Sequence, residues 1–155
     1  MAVPQIREVQ VDALLLYGGL RIEGEHVWQV SPNKYWLRIE IPVKNTKSAS
    51  LKLCITACQE FPERCRFALL YNTTLPIRRL CIESSHSNKH TNRDKWVATT
   101  HLHKWTDRCQ DRLAVATTIS GASIQENLEQ FCAECNIECL ATIANMPSHQ
   151  PEMLL

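Results

Sequence analysis

The middle of the chain is dominated by segments with a period of two, and these constrain the fold more than any other feature. In KYWLRIEIPV, residues 34–43, Tyr35, Leu37, Ile39 and Ile41 alternate with Trp36, Arg38 and Glu40. Successive side chains of an extended strand point to opposite sides, so this alternation fits a half-buried strand. Pro42 has no amide hydrogen to give to a ladder, which puts a strand end or a sheet edge there. LKLCITACQ repeats the pattern with Leu51, Leu53, Ile55 and Ala57 on one side. CRFALLYN and IRRLCIES read as two further strands, separated by the turn residues Asn72-Thr73-Thr74-Leu75-Pro76. Strands joined this closely form an antiparallel meander.

Helical spacing appears at both ends. Residues 5–17 place Ile6, Val9, Ala13 and Leu16 at three- and four-residue steps before Gly18-Gly19, which predicts an amphipathic helix with that stripe inward. Residues 123–135 start with Ser123 and Glu126, the pattern of a capping box. Ile124, Leu128, Phe131, Cys132 and Cys135 then share one helical face, and Asn136 suits a left-handed terminator. Residues 138–144 predict a last short strand. The expected fold class is therefore α+β, an antiparallel β meander sheet packed with an N-terminal and a C-terminal helix. With 155 residues, one domain over 1–145 with a flexible tail at 146–155 is the expected organisation.

Composition excludes several function classes. Lys and Arg number 17 against 16 Asp and Glu, a net charge of +1, so no global field draws the protein onto nucleic acid or an anionic membrane. No apolar run approaches the roughly 18 residues of a membrane span, and residues 13–16 are too short for a signal core. The expectation is a cytoplasmic protein with no membrane partner, in which the eight cysteines stay reduced. Four glycines leave no Gly-rich phosphate loop, and neither a Gly-x-Ser-x-Gly elbow nor a His-Glu-x-x-His helix is present.

Two groups of residues have ligand-like spacing. CAECNIEC carries Cys132, Cys135 and Cys139, but the first two belong to the apolar stripe of a capped helix, so core packing is favoured over metal. The second group lies in HTNRDKWVATTHLHKWTDRCQDR, residues 90–112. Four of the six histidines, His86, His90, His101 and His103, fall within the eighteen residues 86–103, three of them in that stretch. Residues 84–95 predict an exposed loop, and WVATTHLHKW predicts a strand. His101 and His103, two apart on a strand, share a face about 6.7 Å apart, within reach of His90 on the loop. Trp28 and Trp36 are assigned to the core, and His26 and His149 to the surface.

The same residues carry a resemblance. His90-Thr91-Asn92-Arg93-Asp94, then His101-Leu102-His103, then Asp111 with Ala114, then LEQFCAECNIE resembles a family of small, uncharacterised prokaryotic proteins over about residues 35–140. In that family a His-Thr-Asn loop precedes a His-x-His strand and a C-terminal helix closing on Cys-Asn. The chain departs from it at Arg93-Asp94-Lys95 and Leu113. The resemblance implies no activity, but it implies that His90, Asn92, His101, His103 and Asp111 are the positions to test, and a mobile-element, toxin–antitoxin or defence setting.

Three readings of the cluster stay open. In one, His90, His101, His103 and Asp111 perform metal-independent acid–base cleavage of RNA. Arg93, Lys104 or Arg108 would then hold the phosphate, and Trp96 or Trp105 would stack a base. In another, the cluster is a surface that binds a protein or nucleic acid without catalysis. In the third, His90, His101 and His103 with Asp107 or Asp111 hold zinc or iron. The expected partner is RNA or a protein, with no resident cofactor.

Overall fold

A computed structural model describes residues 6–30, 36–58, 64–82, 86–87, 96–97, 100–119, 121 and 123–147. In chain order the elements are α1 (Glu8–Tyr17), β1 (Arg21–His26), β2 (Gln29–Val30), β3 (Trp36–Pro42), β4 (Leu51–Cys58), β5 (Cys65–Tyr71) and β6 (Leu75–Cys81), then β7 (His86–Ser87), β8 (Trp96–Val97), β9 (His101–Lys104), β10 (Ala114–Ala116), α2 (Ile124–Glu134) and β11 (Glu138–Ile143). The main sheet has seven strands in the order β10-β9-β6-β5-β4-β3-β2, every neighbouring pair antiparallel. The expected α+β fold, a meander packed with a helix from each end of the chain, is the observed one.

The register turns alternation into two faces. Ile39, Ile55, Phe67, Leu80 and Leu102 are cross-strand partners in one row, and all five are buried. This inner face receives the helices. Phe131 of α2 meets Phe67 with ring centroids 5.8 Å apart. Asp12 of α1 reaches Arg78 of β6 at 3.6 Å, and Glu134 of α2 reaches Lys104 of β9 at 3.4 Å. On the other face Arg38, Glu40 and Arg66 are exposed. Trp36 belongs to this outer face, half-buried, rather than to the core that its size suggested.

The two helices differ in how they are held. Ser123 accepts a hydrogen bond from the Glu126 amide at 3.1 Å, and Leu128, Phe131, Cys132 and Cys135 are buried. Asn136 closes the helix at φ 56°, as its short polar side chain allows. In α1 the buried residues are Val11, Leu14 and Leu15, while Val9 is 71% and Leu16 63% exposed. The expected Val9–Ala13–Leu16 stripe is thus turned outward. A Leu14-Leu15-Leu16 run has no unique apolar side, and docking on the sheet selects one.

Further differences are topological. WVATTHLHKW is not one strand: β8 pairs with β7 in a separate two-stranded sheet, and β9 joins the main one. The polar segment expected to be wholly loop thus contains β7. The strand expected near residues 138–144 is β11, and its partner is the parallel β1, which carries little period-two signal. No helix among the described residues is long and apolar enough to cross a membrane.

Candidate functional site

The site follows from the pairing of β6 with β9. Cys81 lies opposite His101, and Arg79 lies opposite His103, all on the outer face. Directly paired residues hold their Cβ atoms about 5 Å apart, so the Cys81 thiol and His101 ring must meet. His103, two residues along, brings its ring to 4.9 Å from that of His101, edge to face at 62°. The potential ligand atoms of Cys81, His101 and His103 lie within 4.8 Å of one another. Beyond β9, the partners of His103 and His101 are Ala114 and Ala116, whose small side chains leave room for both rings.

Although the outer face is open over β3, it is closed here. His101 and His103 are each 2% exposed and Cys81 5%. The chain after β9 folds back so that the Asp111 carbonyl accepts a hydrogen bond from His103 Nδ1 at 2.7 Å. A carbonyl can only accept, so Nδ1 carries the proton, and in the neutral ring Nε2 keeps the lone pair. The Asp111 carboxylate turns instead to Arg79, Oδ2 to Nη2 at 3.6 Å. Burial pushes the Cys81 thiol up, against the attraction of the Arg79 and Arg66 charges for the thiolate.

The structure sorts the residues expected at the site. His101, His103 and Asp111 come together. Lys104 is on the opposite face with Glu134. Trp105 is 5% exposed in the core and donates its indole N–H to the Ile6 carbonyl at 3.1 Å, which removes it as a stacking platform. Arg108 is exposed beyond β9. Asp107 accepts the Glu8 amide at 2.8 Å and meets Arg7 at 3.3 Å, so it caps α1 and does not join the histidines. His90, Asn92 and Arg93 lie outside the described residues, as does the side chain of Trp96.

Sequence reasoning missed Cys81. The alternation of IRRLCIES placed it on a strand, but only the pairing of β6 with β9 brings it to His101, across an intervening 19 residues. The ligand-like CAECNIEC behaves as expected of core thiols: Cys132 and Cys135 are wholly buried, and burial pushes the Cys135 thiol up to about 12. All eight cysteines are free thiols.

Fold and site together define an α+β domain with a buried cysteine–histidine cluster at one end of its sheet. The family of unknown function DUF6978 matches residues 21–137, so the chain belongs to that family. No curated protein and no solved structure matches it.

Proposed function

We propose that this chain is a zinc-binding domain whose metal is held by Cys81, His101 and His103. The convergence of one thiol and two imidazoles within 4.8 Å, from two strands and in a buried setting, carries the reading. In a tetrahedral zinc site, donors stand roughly 3.3–3.5 Å apart, as follows from Zn–S near 2.3 Å and Zn–N near 2.0 Å. Side-chain rotations that close the widest separation by roughly 1.3–1.5 Å bring the donors to that spacing. The Asp111 carbonyl on His103 Nδ1 supplies the outer hydrogen bond that orients ligating histidines. Thiolate with imidazole favours zinc over a hard ion such as magnesium. The carboxylate expected among the ligands is engaged by Arg79.

The metal-independent ribonuclease reading gains less support. General acid–base work requires a ring nitrogen within hydrogen-bond reach of the phosphodiester, and both rings are 2% exposed. Elemental analysis of the purified protein decides between them. One zinc per chain is expected, reduced to trace in Cys81→Ser and His103→Ala, with cobalt substitution giving a thiolate charge-transfer band that Cys81→Ser abolishes. Protein that takes up neither zinc nor cobalt overturns the proposal. RNA cleavage in excess chelator, lost in His103→Ala, would restore the ribonuclease reading in its place.

A further inference from the structure

The open part of the outer face has a different chemistry from the buried cluster, although both belong to one surface. Register places Trp36, Arg38, Lys52 and Arg66 there, with Arg64 opposite Cys58 where β5 begins and Arg79 nearer the cluster. Among the described residues, five cations, Arg38, Lys52, Arg64, Arg66 and Arg79, share the face with two carboxylates, Glu40 and Asp111, a net of +3. The whole chain is only +1. Among the described residues, positive charge is thus gathered on this face of the sheet.

The geometry of that side narrows the partner. Arg38 and Arg66 are in one cross-strand row through Thr56, two strand spacings or about 10 Å apart. The Arg66 guanidinium lies 6.0 Å from the Trp36 ring centroid, so a planar cation and an aromatic ring are held beside each other on a rigid strand pair. None of the exposed large apolar residues among those described, Val9, Leu16, Tyr17, Val27, Val30 and Leu140, is in β3, β4 or β5. Aromatic rings and arginine planes interleaved with cations are what unpaired bases and their phosphates bind. Over β3, β4 and β5 the described residues present strands rather than a helix for a duplex groove.

We propose that the outer face over β3, β4 and β5 binds single-stranded nucleic acid, with Arg38 and Arg66 on the phosphates and Trp36 stacked against a base. Arg38 pairs with Glu40 at 2.6 Å, but both groups are nearly half exposed, and exposed pairs contribute little, so a phosphate can replace that carboxylate. This proposal stands independently of the zinc site.

Fluorescence anisotropy with a labelled oligouridylate tests it on the full chain. Binding is expected at low salt and weakens as salt rises. In Arg38→Gln/Arg66→Gln, affinity should fall at least tenfold, and the slope of log K against log salt should become shallower by about 1.4, from about 0.7 per phosphate contact on a single strand. Trp36→Leu should lose about tenfold, the effect of one stacked base. Arg38 and Arg66 are exposed and Trp36 is half-buried, so the double variant should match the melting temperature and zinc content of the parent protein, which separates loss of binding from misfolding. An affinity unchanged in both variants overturns the proposal, as does equal or tighter binding of duplex, or binding of anionic vesicles without binding of the oligonucleotide.

Discussion

Two thiol-bearing clusters, both largely buried, lie in different parts of the same molecule. Cys132, Cys135 and Cys139 are close in sequence with ligand-like spacing, yet two of them are packing atoms on the buried face of α2. Cys81, His101 and His103 have no spacing that names them, yet their donor atoms converge within 4.8 Å. What separates the clusters is their surroundings. Helical periodicity aims Cys132 and Cys135 into an apolar core, and burial makes the thiolate costly there as it does at Cys81. Strand pairing aims Cys81 and two imidazoles at one another beside Arg79 and Asp111. Donor atoms are thus brought together by register as readily as by sequence spacing.

The contrast can be broken most forcefully at the core. Phe131→Ala removes a ring packed on Phe67 and should destabilise by about 3–5 kcal/mol in denaturant unfolding, with zinc content unchanged. Next in size, His103→Ala leaves the Asp111 carbonyl without its buried donor and should cost roughly 1–3 kcal/mol in the metal-free protein. Excess zinc should stabilise the parent protein and not this variant. If zinc raised the melting temperature of both equally, the β6–β9 cluster would be ordinary core like that of α2. Cys135→Ser sharpens the same point: a hydroxyl among core side chains should cost about 1–3 kcal/mol and leave zinc binding intact.

Smaller effects distinguish the two helix starts. Ser123→Ala removes the cap on α2 and should cost about 1 kcal/mol. At α1 the cap is Asp107, whose carboxyl is held below its usual range, first by the Glu8 amide and then by Arg7. A depressed carboxyl favours the folded state above its unfolded value of 3.8, and that contribution is lost as pH falls through the lower folded value. Asp107→Asn should therefore flatten the acid limb of the stability profile below pH 3.8. It should change stability at neutral pH less than Ser123→Ala does. An unchanged acid limb would remove Asp107 as the anchor of α1.

Much of the fold was legible because local patterns were strong. Alternation in β3 and β4 separated inner from outer residues, and Ser123, the Leu128–Phe131–Cys132 stripe and Asn136 define α2 from start to stop. At α1 the outcome was different, since its cap comes from Asp107, 99 residues beyond Glu8, and its face from the sheet beneath it. β1 escaped notice for a similar reason. Its burial alternates poorly, and its stability comes from β11 at the other end of the chain.

The candidate site divides along the same line. That His101 and His103 share a face is a property of the strand, since residues two apart point the same way whatever the strand pairs with. That this face is buried, that Cys81 completes the cluster, and that Lys104 and Trp105 belong to the helix side depends on which strands become neighbours. Sequence alone determined the elements whose signals are local, a capped helix and strands with a clear period. Only the tertiary structure decided which donors meet, because register and docking are set by the whole core and leave no trace in the spacing of the residues they bring together.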